Sequence, residues 1–439
     1  MNARAVQPSC NDAVTRGYRL LTETAILPSD FDQVVFDELW QTWPEPLKSQ
    51  AAKASADERR EMAFDRYGLT PRPNNDSDAP LQYVVDADGR WTMSCFACHG
   101  GSVYGKPTPG APNNQFGLQT LSEEVRRTKF RLSKPLTRMD LGSLVIPLGT
   151  THGTTNAVVF GMGLMHFRDV KLNVVDRPPP SFVHHDMDAP AWWNFHKRPY
   201  LYIDGFAQKG HRGLMQFMLV PENGPEVFLD LEEDFRDVYA YLSSLRPPRY
   251  EGPVDRELAD RGKVLFNNHC ADCHGTYGTN FTYPNRRIPL ADVGTDPVRL
   301  TALSKQGRQF YADSWFANAG ETDEQSTIVD PGGYVAPPLD GIWASPPYFH
   351  NGSVPTLWHV LYPDQRPTVW RRTAIEMDED RVGFQIEVVD RMPLTDPDVA
   401  VRRTYFDTHR YGKSNAGHDY PDVLRDDEKL AVLEYLKTL

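Results

Sequence analysis

The chain has 439 residues, 40% hydrophobic and 24% charged, with a formal net charge of −12. Length and composition are those of a globular protein of two or three domains, and the acidic balance excludes nucleic acid as the main partner, because phosphate binding needs basic clusters. No apolar run reaches the ~18 residues of a membrane span, and the 36 prolines, beside 11% aromatic residues, indicate long ordered loops rather than disorder.

The opening "MNARAVQPSCNDAVTRGYRL" has no apolar core and does not read as a signal peptide. Cys10 reads as an incidental free thiol. Residues 1–75 form an N-terminal helical segment, with helical patches in "DFDQVVFDELWQTW" and "ADERREMAFDRYG". Phe31, Val35, Phe36, Leu39 and Trp40 make an apolar stripe for packing against the next domain of the chain. "LQYVVDADGRW" then reads as strand and turn.

"MSCFACHGG" comes next, and "NHCADCHGT" repeats its pattern far downstream. Cys-x-x-Cys-His is the attachment site of c-type haem. Two thiols on one helical turn reach the two vinyl groups of one porphyrin, and the histidine turns its imidazole to the iron. Cys95, Cys98 and His99 are expected to hold one haem, and Cys270, Cys273 and His274 another. Zinc is the weaker reading, since no further cysteine follows either pair closely. A thioredoxin-like dithiol would sit in a βαβ pattern, which is not visible.

Between the motifs lie possible ligands and pocket residues. His184, His185, Asp186 and Asp188 are a possible metal cluster, or a solvated loop. Trp192, Trp193, Phe195 and Tyr200 suit a haem edge, a substrate pocket or an ordinary core. "GFAQKGHRGLMQFMLVPENG" offers His211, Met215 and Met218 as a second axial ligand of the first haem; alternatively its apolar residues line an open distal pocket. His152 and His166 have no supporting context. "EEDFRDVYAYLSSLRPP" reads as a closing helix stopped by Pro247 and Pro248.

The second half follows a cytochrome c plan. "DRELADRGKVLFNNHCADCHG" is an amphipathic helix feeding the motif, and "DDEKLAVLEYLKTL" is a final helix. Gly262 is the expected point of close helix contact, with Phe266 against Leu433 and Tyr435. In "GKSNAGHDYPDVL", His418 precedes the last helix, and Gly412 and Gly417 let that loop approach the porphyrin. His418 is the favoured second ligand, His350 its rival; His409 and His359 follow. The expected fold is mostly α: the N-terminal segment, then a first cytochrome c-like haem domain with insertions over 76–248 and a second over 249–439, all with long irregular loops.

With both motifs placed, the chain resembles the di-haem bacterial cytochrome c peroxidase superfamily, and more nearly its rubber oxygenase-like branch. The resemblance is carried by "APPLDGIWASPPYFHNGSVPTL", "GKSNAGHDY" and "KGHRGLMQFML". It implies two covalently bound haem c groups. It implies His99 as proximal ligand of an active haem that meets O2 or peroxide, His274 and His418 as ligands of an electron-transfer haem, and Phe217 at the distal face of the first haem. The chain departs from the family in three ways. It is shorter than the rubber oxygenases, no tryptophan lies between Trp91 and Trp192, and Glu222 and Glu226 are near the pocket stretch in sequence only. The expected function is redox chemistry on O2 or peroxide and a small organic molecule, with a redox partner protein. A pure electron-transfer cytochrome with both irons six-coordinate is the alternative, its acidic surface suiting a basic partner. A haem sensor would need a signalling domain, and none is visible. Covalent haem attachment in bacteria takes place outside the cytoplasm, so export to the periplasm is expected.

Overall fold

A computed structural model describes residues 10–73, 77–181, 183–318 and 326–439; the side chain of Cys10 lies outside the described residues. The fold is helix-rich, with several sheets of two or three short strands.

The second half is built on a crossing of two helices. Asp255 caps the helix Arg256–His269 by accepting from the Leu258 N–H at 3.0 Å. This helix crosses the helix Asp426–Leu436 at Gly262. A Cβ on Gly262 would lie 1.8 Å from the Ala431 carbonyl oxygen, so only hydrogen fits there. Beside this contact the Phe266 and Tyr435 rings meet at 5.4 Å.

The first half has the same crossing, with an opening helix that the sequence pattern does not assign to it. Helix Cys10–Glu23 packs on the helix Glu232–Ser244. A Cβ on Gly17 would sit 2.2 Å from the Asp237 carbonyl oxygen. Tyr18 and Tyr241 meet beside it at 5.5 Å, Tyr241 standing where Tyr435 stands in the second crossing. Arg16 adds an ion pair to Asp237 at 2.5 Å. Between this opening helix and the first haem motif come Gln33–Asp37, Ala56–Tyr67 and the sheet in which Arg90–Met93 pairs with Tyr83–Val85 and Phe31–Asp32. The stripe Phe31, Val35, Phe36 and Leu39 is buried in one cluster with Met93, Ala97 and Phe116.

One sheet has no counterpart among the expected elements. Strand Val369–Asp378 pairs with Gly383–Val388 and Tyr405–Asp407. It projects from the second half, with Trp370, Phe384 and Phe406 as a small core of its own.

Two buried histidines outside the haem motifs bear on acid stability. His152 is pushed down to about 4 by burial, with Arg403 and Arg66 adding to it. His359, whose ring bonds the Thr356 hydroxyl at 2.7 Å, is pushed down to about 4 by burial and by Arg381 and Arg366. Both are depressed below the ordinary 6.5, so the unfolded chain binds the extra protons. Their contribution to stability is complete above pH 6.5 and is lost as pH falls towards 4. The urea midpoint is expected to decline over that window, and less steeply in a His152→Gln, His359→Gln double variant.

Candidate haem sites

Each Cys-x-x-Cys-His run folds as one short helical turn, Phe96–His99 in the first half and Ala271–His274 in the second. All four cysteines of the runs are free thiols. Burial pushes Cys95 and Cys270 up to about 12 and Cys98 up to about 11, as expected where thiols line an apolar space.

The two histidines are held alike. The His99 Nδ1–H donates to the Pro190 carbonyl at 3.0 Å, and the His274 Nδ1–H to the Pro337 carbonyl at 2.8 Å. A metal-binding imidazole is normally fixed in this way, with the second nitrogen left for the metal. Burial lowers both histidines below the usual range, His99 to about 4, so both are neutral and have a lone pair to give.

Their surroundings differ. His274 faces His418 with ring centroids 6.1 Å apart. That is the spacing of two imidazoles on opposite sides of one metal ion with bonds of about 2 Å. The His418 loop is fixed by Arg366, whose guanidinium donates to the carbonyls of Asn415 at 2.8 Å and Gly417 at 2.7 Å. The His418 N–H donates to the Val293 carbonyl at 2.7 Å, and the Phe349 and Tyr420 rings flank the imidazole. His418 Nδ1 is buried with no partner, and burial drives this group down to about 3. The geometry and the donor set of this pair fit a haem iron.

His350 is elsewhere. Its ring stacks on Tyr334 at 4.5 Å, and no contact joins it to His274 among the described residues. His359 is tied to Thr356, and His409 is an exposed partner of Asp407 at 2.9 Å.

The ring beside His99 is Trp192, stacked at 4.5 Å. None of the three second-ligand candidates reaches His99. His211 is buried against Glu232 at 3.1 Å. Met215 and Met218 have 0% exposure inside an apolar cluster, whereas Cys95 and Cys98 retain partial exposure. The methionines are core filler. Phe217 is half-buried and packs against both the cluster that takes in Cys95 and the cluster that takes in Cys98. Phe160, Met162 and Leu164 of the helix Ala157–His166 join the same clusters. Sequence reasoning passes over this wall, although "AVVFGMGLM" is a nine-residue run without a charge.

Glu222 pairs with Arg138 at 2.9 Å on the surface. The metal reading of His184, His185, Asp186 and Asp188 is corrected: the described residues include no group of three or more side chains able to hold an ion. Asp186 is engaged by Lys413 at 3.0 Å and by the hydroxyls of Thr150 and Thr154, and His184 by Asn156. Burial raises the Asp188 carboxyl above its usual range.

Trp192 and Trp193 connect the two centres. Trp192 lies on His99, and the Trp193 Nε1–H donates to the Asp340 carbonyl at 2.8 Å. Asp340 closes the short loop whose Pro337 carbonyl holds His274, and the Tyr277 hydroxyl ties that loop to the His274 carbonyl.

This loop opens the stretch for which a known family exists. Residues 333–371 match the family described as RoxA-like, cytochrome c-like. The match spans the Pro337 support of His274, Phe349 and the Arg366 clamp. That stretch is cytochrome c-like, a kind of domain that implies covalently bound haem c. Two curated proteins of Sinorhizobium fredii (strain NBRC 101917 / NGR234) are similar. "Uncharacterized protein y4iM" is 30% identical over 293 residues, 57% of this chain and 64% of the relative. "Uncharacterized protein y4iJ" is 30% identical over 261 residues, 45% of this chain and 42% of the relative. The chain therefore spans less than two thirds of the length of either. No helix among the described residues is long and apolar enough to cross a membrane.

Proposed function

We propose that the chain is a di-haem c-type cytochrome oxidoreductase. One haem is carried by Cys95, Cys98 and His99, and the other by Cys270, Cys273, His274 and His418. The asymmetry between the centres carries this reading. His274 has a facing imidazole at 6.1 Å, while the candidate ligands for the first iron are bound to Glu232 or sealed in the core. A haem with two protein ligands exchanges electrons, and a haem with a free position also binds O2 or peroxide.

The residues divide the work. His99, steadied by Pro190 and Trp192, holds the first centre from its proximal side. Phe217, Phe160, Met162 and Leu164 give it an apolar wall that keeps water out and receives a small organic molecule. His274 and His418 close the second centre, which serves as electron relay or store. Trp192 and Trp193 supply the contact between the two. The domains are two cytochrome c-like modules over 76–248 and 249–439, with helix Cys10–Glu23 completing the first. Export to the periplasm and a redox partner protein belong to the same reading.

The test is the optical spectrum of the dithionite-reduced holoprotein before and after carbon monoxide. Half of the haem signal is expected to shift, one iron being open. An unshifted spectrum would make the protein an electron carrier with both irons closed.

A further inference from the structure

Beside the His274–His418 centre lies a buried cationic pocket that the proposed redox chemistry does not use. Four arginines close on the turn Tyr202–Gly205. The Arg308 guanidinium donates to the Asp204 carboxylate at 2.8 Å, and Arg299 approaches it with two N–H groups at 3.4 Å. Arg287 donates to the backbone carbonyls of Asp204 and Gly205, and Arg198 to that of Tyr202. Among the described residues, the Asp204 carboxylate is shared by Arg299 and Arg308 alone. The nearby Asp296 uses its oxygens on the N–H groups of Val298 and Ser414.

Buried cations in excess of buried anions are costly. The pocket also has buried donors without partners: Nε of Arg198, Arg299 and Arg308. His350 and His185 are close enough to Arg299 for its charge to hold both neutral, after burial has lowered them. The pocket is therefore arranged for an anion, and for one that is planar and divided, since guanidinium forks match carboxylates.

Its position names the source. Tyr334, stacked on His350, shares an apolar cluster with Cys273, Ile203 and Leu300. Phe349, the neighbour of His350, has its ring 6.0 Å from that of His418. The pocket thus borders the space between His274 and His418. We propose that it receives the propionate carboxylates of the haem held there, with Arg198 as a positioning residue. The inference rests on the di-haem reading. The pocket draws Arg198 and Asp204 from the first half and Arg287, Arg299, Arg308 and His350 from the second, so this haem joins the two.

The test is spectroelectrochemical titration of holoprotein carrying Arg198→Gln or His350→Gln, with Arg198→Lys as the charge-keeping control. A cation beside a propionate favours the reduced haem. Loss of Arg198 is expected to shift the reduction equilibrium of the second haem about tenfold towards the oxidised form, close to 59 mV for one electron. The first haem is expected to keep its potential, and Arg198→Lys to restore most of the shift. His350→Gln, which removes neither a charge nor a free donor, is expected to leave both potentials unchanged. Unchanged potentials in Arg198→Gln, with two haems per chain by pyridine haemochrome assay, would overturn the inference alone. One haem per chain in the unaltered protein would overturn the di-haem reading instead.

Discussion

Valine at position 262 is expected to unfold the second half of the protein. The Gly262 Cβ position lies 1.8 Å from the Ala431 carbonyl oxygen and 3.0 Å from the Tyr435 Cβ, so a side chain has backbone to displace. The helices Arg256–His269 and Asp426–Leu436 would have to part, uncovering Phe266, Val432, Leu433 and Leu436, all within 5% exposure. Overpacking at a site that can shift costs about 1–3 kcal/mol. Here the obstacle is main chain, and the loss is expected to exceed about 3 kcal/mol, or a fall of roughly 10 °C in Tm. Circular dichroism melts and the mass of the tryptic peptide bearing Cys270 and Cys273 check this; the variant peptide should be largely without haem. Val264→Ala on the open side of the same helix, where Val264 is 61% exposed, should change stability by no more than about 0.5 kcal/mol. Equal losses in the two variants would refute a special role for the crossing.

The second large effect is expected from His418→Ala. On the di-haem reading, removing the facing imidazole would leave the iron held by His274 with an open position. The carbon monoxide-sensitive share of the reduced spectrum should rise from half to all of the haem. His350→Ala should leave that share at half, because His350 stacks on Tyr334 and does not meet His274. The opposite pattern would transfer the ligand role to His350. Arg366→Gln should fall between wild type and His418→Ala, since it releases the carbonyls of Asn415 and Gly417 while keeping the imidazole.

Local spacing makes the haem motifs and the second helix crossing legible, because every residue involved lies close to its partners in sequence or at a recognisable end of the chain. Gly262 and Phe266 can be read because one helix runs directly into Cys270. The first crossing escapes for the converse reason. Its opening helix, Cys10–Glu23, is separated from Cys95 by a sheet and several short helices, so no continuous pattern links it to the motif. "LQYVVDADGRW" reads correctly as strand and turn, and that reading itself hides the missing helix. The preference for His418 over His350 rests on loop glycines; in the structure Gly417 packs against the Gly294 backbone, and the loop lies on Val293. The His184–Asp188 cluster misleads because ligand-type residues adjacent in sequence point to different neighbours, Asn156, Lys413 and the protein interior. The strand Val369–Asp378 is missed because its charged residues obscure the alternation of a half-exposed hairpin.

The pairing of Cys10–Glu23 with Glu232–Ser244 also sets an order of events as the chain emerges from its N-terminus. The opening helix is out early and has no partner until everything up to residue 244 has followed. Cys95 and Cys98 therefore spend that interval on an unclosed chain, with their thiols within reach of chemistry. The second motif waits in the same way for the last helix, Asp426–Leu436. In both halves the thiols are presented first and enclosed afterwards, so on the di-haem reading covalent attachment would have a window that the topology itself opens. The length of chain between Glu23 and Glu232 widens the window at little thermodynamic cost, because closure entropy grows only with the logarithm of loop length.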